Sequence, residues 1–517
     1  MPLKHNPDKN FSMFTQDDHG ELKERGISVE EVKRQLEYFR SGIPYLPIAK
    51  PATIGDGILK PQEETLRDFI HLYESESLKE KVIKFVPASG AATRMFRDLY
   101  AYMDEGSGSK ALEDFISGLK RFAFYDDLKS CIEKSGMDTE SLIQAGDYDP
   151  IFKFLLGREG LNYGNLPKGL VAFHQYDGHY RTAFEEHLLE GINYSRGKDD
   201  NVRIHLTVSP EHKDAFENKT HEVVKNLRMQ YHHDFSVTFS IQKPSTDTIA
   251  VDCDNNPFRD RNGKLVFRPG GHGALLENLD DLDAGIIFIK NIDNVAPDHL
   301  KAETLKYKKA LGGMLLSFRE RIFHYLNILT GDGEINGGFM EEVMTFLSDE
   351  LCLVPPWGHD QWDYEQKRSY LVSRLDRPLR ICGMVRNQGE PGGGPFWVKN
   401  SDCSVSLQIV ESSQVKLSNP LMKKLFDAST HFNPVDLVCS VKDFRGNKYD
   451  LHKFRDPDTG FISHKSFEGR EIKALELPGL WNGAMANWNT VFVEVPLITF
   501  TPVKTVNDLL RAEHSAV

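Results

Sequence analysis

Three short stretches of this chain hold residue types that could handle a phosphate ester. KFVPASGAATRMF (84–96) runs an apolar, strand-like segment into Ser89, Gly90, Ala91, Ala92 and Thr93, and then into Arg94. So little side chain leaves backbone N–H groups open to an anion, and a helix expected to begin near Thr93 would add its positive N-terminal end. Tight packing of helix on strand would account for the same small residues. FRPGGHGALLENL (267–279) is a second small-residue loop that runs into a helix, and GIIFIKNIDNV (285–295) carries Asp293 where an unbroken apolar strand should meet solvent. A carboxylate in that place can hold Mg²⁺ between protein and phosphate. Neither GxxxxGK[ST] nor, after the first strand, GxGxxG is present, which weighs against P-loop, kinase and NAD-dependent chemistry.

These residues need a scaffold. KVIKFV (81–86), RIHLTVS (203–209), SVTFSIQ (236–242) and GIIFIKNID (285–293) read as buried strands, with LVAFH (170–174) a further candidate. They alternate with helical patterns near 179–190, 210–231 and 273–282, which predicts βαβ units and a mixed, mainly parallel sheet covered on both faces. In such sheets ligands bind beyond the carboxyl ends of the strands, where the loops above fall. Before the first strand, 28–41 and 62–77 are amphipathic helices on either side of a Pro-rich connector, so residues 1–80 read as a helical extension. A mostly helical stretch over about 97–160, with a GSGS tip at 106–109, reads as an insertion in a core spanning 81–350. Residues 351–517 are richer in strands, including CSVSLQIVE and TVFVEV, and hold the Gly-rich EPGGGPFW (390–397), expected as a lid or as a turn beside a buried Trp397.

Composition excludes several classes. The chain has 517 residues, 40% hydrophobic and 27% charged, with a net charge of −13. An acidic surface repels nucleic acid and anionic membranes, so neither is an expected partner. Six widely spaced cysteines without a CxxC pair favour neither a zinc site nor a disulfide framework. MPLKHNPDKNF is polar where a secretory leader would be apolar, and no apolar run is long enough to span a bilayer. A cytoplasmic location is expected.

Taken in order, the motifs resemble those of the sugar-nucleotide pyrophosphorylases, the UDP-glucose and UDP-N-acetylglucosamine enzymes in particular. VPASGAATRM resembles their Gly-Gly-x-Gly-Thr-Arg loop, LPKGLVAFHQYDG (166–178) the Pro-Lys that follows it, RPGGHG with FIKNIDN the nucleotide-loop and metal-Asp pair, and FTPVKTVNDLL (500–510) the Phe-x-Pro-Val-Lys segment. The resemblance spans roughly 82–510 and extends to a divergent bacterial branch of that superfamily. It implies a GT-A-like, Rossmann-type three-layer core and a nucleotidyltransferase that joins a nucleoside triphosphate, UTP foremost, to a sugar 1-phosphate and releases pyrophosphate. By the same resemblance Arg94, Lys168 and Lys504 are catalytic, and Asp293 carries Mg²⁺. Ser89, Gly90, Ala91, Ala92, Thr93, Gln242, Gly271 and His272 bind the nucleotide, while Glu411 and Asn433 bind the sugar. His174 and the His232–His233 pair are read as structural, since transfer to an ionised phosphate needs no general base.

Two features depart from the family pattern. Ser89 and Ala92 stand where it has glycines, and a Cβ opposes positive φ. That change motivates an alternative: a nucleotide-sugar-binding protein on the same fold that has lost turnover. Retention of Arg94, Lys168, Asp293 and Lys504 together favours the enzyme.

Overall fold

The computed structural model describes residues 13–515 apart from Ser107, Glu334 and Pro391. Residues 1–12 of the expected helical extension, Ser107 of the GSGS tip, Pro391 of the Gly-rich stretch and residues 516–517 lie outside the described residues.

The apolar runs become strands of one nine-stranded sheet: β1 (Thr53–Ile54), β2 (Gly57–Leu59), β3 (Val82–Pro87), β4 (Asn201–Val208), β5 (Asp234–Ile241), β6 (Ile286–Ile289), β7 (Leu379–Arg386), β8 (His431–Ser440) and β9 (Asn489–Glu494). Their spatial order is β1-β2-β9-β7-β8-β6-β3-β4-β5. Only β8 runs antiparallel to its neighbours, β6 and β7; every other pairing in this sheet is parallel. The mainly parallel mixed sheet read from the sequence is therefore present.

β3 and β6 are buried at every position, which is why they read as unbroken apolar runs and not as alternating ones. Alternate residues feed two cores. Val82, Ile286 and Phe288 pack with the helices Glu63–Glu76 and Lys301–Leu329. Ile83, Phe85, Ile287 and Ile289 face Leu275, Leu276 and Leu279 on the other side. The stretch 97–156 is helical, from Arg97–Glu105 to Asp149–Leu156, and joins a third core with Val86, Leu206 and Phe216.

Several expectations need correction. LVAFH is not a sheet strand: Ala172–Tyr176 pairs with His179–Thr182 in a separate antiparallel hairpin, because the turn at Asp177–Gly178 folds it back before any helix can form. The helix expected from 179 begins only at Ala183, capped by Thr182 and Glu185. The first eighty residues are not purely helical, since Ile48–Pro51 pairs with Gly394–Lys399 and β1 and β2 extend the main sheet beside β9. From Gly393 on, the Gly-rich stretch is built into the fold and is not a lid. Gly393 and Gly394 are buried, and a Cβ on Gly393 would lie 2.3 Å from Val410 O, so glycine there permits backbone to approach backbone beside the buried Trp397.

A second, antiparallel sheet of Phe267–Arg268, Thr248–Val251, Arg470–Glu476 and Phe461–Phe467 is covered by the helix Val29–Ser41. It stands beside the carboxyl edge of the main sheet and brings Arg268, Glu476 and Phe461 to the cavity described below.

The crossing of Lys301–Leu329 over Glu63–Glu76 depends on Gly313, where a Cβ would fall 1.8 Å from Phe69 O. Backbone cannot rotate aside, so the helix-propensity gain of alanine is outweighed. Gly313→Ala should lower stability by about 1–3 kcal/mol, measured as a lower urea midpoint; an unchanged or higher midpoint would mean that the two helices do not meet there.

Candidate functional site

β3 and β6 are adjacent and parallel, with Phe85 opposite Ile289, so both chains leave the sheet at one edge. The exits remain joined: Lys290 N donates to Phe85 O at 3.2 Å and Ile292 N to Pro87 O at 3.4 Å. The strand proper ends at Ile289, and Asp293 sits on the buried segment that follows. Beneath it, His187 Nε2 donates to Asn291 O at 3.1 Å and Ile292 O at 3.2 Å, which requires the proton on Nε2. Burial foremost, and then the Lys84 charge, hold the His187 pKa well below the imidazole range.

Asp293 is 7% exposed, yet it carries a negative charge. Burial alone would raise its pKa, but the nearby Lys504 and Lys168 ammonium groups win and lower it. Lys168 Nζ lies 3.1 Å and Lys504 Nζ 3.4 Å from Asp293 Oδ2. Lys168 Nζ also donates to Val503 O at 2.8 Å. Backbone bonds tie the same segments together: Lys168 N to Gly90 O at 3.2 Å, Val503 N to Asp293 O at 3.1 Å and Val506 N to Met95 O at 3.0 Å. Thr501 N adds a bond to Asn294 Oδ1 at 3.0 Å. Four loops far apart in the chain thus form one body.

Beside this body opens a cavity of about 610 Å³, lined among others by Ser89, Arg94, Gln242, Gly271, His272 and Glu411. His272 links the two, because burial foremost and the Lys504 charge next depress its pKa, while Asp293 opposes them. Arg94 is exposed and makes no hydrogen bond or ion pair among the described residues, so its guanidinium is free for a ligand. Asn433 lies behind Glu411, donating to its Oε1 at 2.7 Å. Burial raises the Glu411 pKa, while that bond opposes the rise.

The first loop differs from expectation. Ala92 is buried and its N–H is spent on Leu166 O at 3.1 Å, so it offers an anion nothing. No α-helix starts at Thr93: Ala92–Arg94 is a single 3-10 turn, and the helix begins at Arg97 without a side-chain cap. A helix dipole behind the loop is therefore absent, and Ser89, Gly90 and Ala91, whose N–H groups have no backbone acceptor, remain with Arg94 as the donors. Gly90, Ala91 and Thr93 are exposed beside the cavity and do not line it. None of residues 88–96 has positive φ, so Ser89 and Ala92 introduce no strain in place of glycine. Gly271 does require glycine, with φ 74° and space for a Cβ only 3.0 Å from Glu476 Oε2.

The histidines read as structural have partners. His174 lies between Glu186 and His514, at 2.9 Å from each, His232 takes the left-handed C-cap of Lys213–Tyr231, and His233 pairs with Asp200. Sequence reading missed His187 and the cavity residues Glu476, Trp481 and Asn482, and gave Arg268 of RPGGHG no role; the GLWNG spelling of 479–483 is a signal that could have pointed to Trp481 and Asn482.

A family model described as a domain of unknown function, DUF4301, matches residues 15–515. The chain belongs to the DUF4301 family. No curated protein matches this DUF4301 chain. Among solved structures it is similar to a UDP-glucose pyrophosphorylase mutant from Leishmania major in complex with UDP-glucose, at 12% identity and TM-score 0.45, covering 96% of this chain and 78% of that one. It is also similar to the UDP-N-acetylglucosamine pyrophosphorylase from Trypanosoma brucei, at 11% identity and TM-score 0.48, covering 96% and 79%. At such identity the chemistry has to be read from the residues themselves.

Because the folded-state pKa of Asp293 is depressed, its contribution to stability is present above the unfolded carboxylate value of 3.8 and is lost as pH falls through the folded value. Asp293→Asn should cost about 3 kcal/mol at pH 7, since it strands Lys168 in a buried setting. In urea titrations the gap between the two proteins should close below pH 3.8; a gap independent of pH would show that Asp293 is not ionised in the fold.

Proposed function

We propose that this protein is a nucleotidyltransferase that joins a nucleoside triphosphate, with UTP favoured by the motif resemblance, to a sugar 1-phosphate with release of pyrophosphate. The observation that carries this reading is a buried carboxylate balanced by two lysines from distant segments, at the sheet edge where a free arginine and Ser89 line a cavity and the open amides of Gly90 and Ala91 lie beside it. An anionic reaction needs such a cationic, partly dehydrated setting, and we read the scaffold around it as GT-A-like.

In the proposed reaction an ionised phosphate oxygen of the sugar 1-phosphate attacks the α-phosphorus of the triphosphate. The new O–Pα bond forms as the Pα–O–Pβ bond breaks, and the electron pair leaves on pyrophosphate. No proton moves, so no general base is required. Two anions that repel must be held in line. Arg94 offers a planar fork to the departing phosphates, assisted by the amides of Ser89, Gly90 and Ala91. Lys168 and Lys504 supply compact charge near the α-phosphate and the incoming phosphate. Gln242, Gly271 and His272 are assigned to the base, and Glu411, positioned by Asn433, to the sugar.

Mg²⁺ is part of the proposal. Among the described residues no three His, Cys, Asp or Glu side chains cluster to cage a metal. A lone carboxylate such as Asp293 suits Mg²⁺, which keeps its waters and takes its remaining oxygens from substrate phosphates. When bound, Mg²⁺ would neutralise charge on the triphosphate. Six free cysteines suit a reducing compartment, and no helix of the described residues is long and apolar enough to cross a membrane; we place the enzyme in the cytoplasm.

Purified protein with Mg²⁺, each nucleoside triphosphate and a panel of sugar 1-phosphates should release pyrophosphate with a restricted set of pairs. Arg94→Ala should raise KM for the triphosphate about tenfold or more, the value of a charge-assisted hydrogen bond. Asp293→Asn should lower kcat by about 10²–10³. No pyrophosphate from any pair, alongside tight nucleotide-sugar binding, would mean a binding protein.

A further inference from the structure

Two buried histidines join the segments that bring Lys168 and Lys504 to Asp293. Lys168 opens the 3-10 turn Lys168–Leu170, which runs into the hairpin strand Ala172–Tyr176 and so to His174. Lys504 precedes the 3-10 helix Val506–Leu510, after which the chain reaches His514. His174 Nε2 lies 2.9 Å from His514 Nδ1, with the ring centres 5.2 Å apart. The two residues are 1% and 3% exposed. The Thr501 backbone, just before Lys504, lies against the His514 ring. Thr501 is in turn bonded to Asn294 Oδ1 and Val295 O, next to Asp293.

A contact between two ring nitrogens holds one hydrogen. One ring donates and the other accepts, so a proton on both facing nitrogens leaves two donors and no acceptor. His174 Nδ1 is already committed to Glu186 Oε1 at 2.9 Å. Glu186 has little to offer a second positive charge: its buried carboxylate also receives the Tyr176 hydroxyl at 2.7 Å and the Lys301 ammonium at 2.5 Å, with Arg181 at 3.7 Å. Asp298 is taken by Arg181 at 2.8 Å and Lys301 at 2.6 Å. On the His514 side the charge that reaches the ring is Arg511, itself positive and paired with Asp508 at 2.7 Å. The hairpin, the two helices and the last segment thus supply no uncommitted carboxylate to a doubly protonated pair. Burial foremost, and then the His174 and Arg511 charges, push the His514 pKa down to about 3.

We propose that the His174–His514 contact is a pH-sensitive staple, which positions the Lys504 segment against the Lys168 segment while one hydrogen is shared and releases it once both facing nitrogens are protonated. Released, His514 regains the ordinary imidazole value of 6.5, so opening takes up a proton. The docked form is at full strength above pH 6.5 and weakens as pH falls toward 3. The staple acts on the surroundings of Asp293 whatever reaction they serve, so a protein without nucleotidyl transfer would leave it standing.

Hydrogen–deuterium exchange of the intact protein tests it at Val503 and Val506, whose amides donate to Asp293 O and Met95 O. Corrected for the intrinsic pH dependence of exchange, both should open about 20-fold more often at pH 5 than at pH 7, the linkage of one proton. The amides of β6 should keep their protection. His514→Asn, which keeps a polar group at the place of Nδ1 without its titration, should abolish the rise. Unchanged opening in wild type between the two pH values, a rise of the same size in His514→Asn, or an equal rise in β6 would each overturn the inference.

Discussion

A buried carboxylate stays ionised only if something nearby is positive, and for Asp293 that something arrives from two remote parts of the chain. Lys168 follows the helical layer and Lys504 precedes the 3-10 helix Val506–Leu510, yet both ammonium groups lie within 3.4 Å of the same oxygen. The three charges leave a local excess of one positive charge beside the cavity. That excess is what an anionic ligand would meet, and it depends on the backbone bonds that hold residues 90, 168, 293 and 503 in one body.

The charge pattern continues into the sheet. Lys84, Lys290 and Lys308 are buried with Glu190 and Asp436 beneath the Asp293 segment. Burial foremost lowers the Lys84 pKa to about 7, against the pull of Glu190. Removing one member of such a set leaves the others uncompensated, so the cluster fixes how β3, β6, β8 and the helix Lys301–Leu329 sit together. Neutral His187, on the helix that carries Glu190, then hands that rigidity to the Asn291–Ile292 carbonyls and so to Asp293. The edge that carries Asp293 and the sheet interior are one electrostatic construction.

Much of this scaffold is legible in the sequence for a simple reason. Parallel strands covered on both faces are continuous apolar runs, and the residues after them must lie at one edge, so the placement of 84–96 and 285–295 at that edge follows from residue pattern, whereas the direct pairing of their strands is shown by the fold. Local chemistry is harder to read. The helix after Arg94 starts later than its pattern suggests: Thr93 resembles a cap, whereas Ala92 is drawn into a bridge with Leu166 that no local pattern encodes. LVAFH has the composition of a sheet strand and becomes a hairpin. Lys84 interrupts an apolar run with a charge whose direct partners, His187 O, Glu190 and the Tyr194 ring, come from one distant helix, Ala183–Tyr194.

Electron density for the protein crystallised with Mg²⁺ and UDP-glucose tests the central claim most directly. The account predicts phosphates beside Arg94, Lys168 and Lys504, with the base toward Gly271 and the sugar against Glu411. A nucleotide sugar bound elsewhere, with Asp293 still enclosed by its two lysines and the cavity empty, would contradict it.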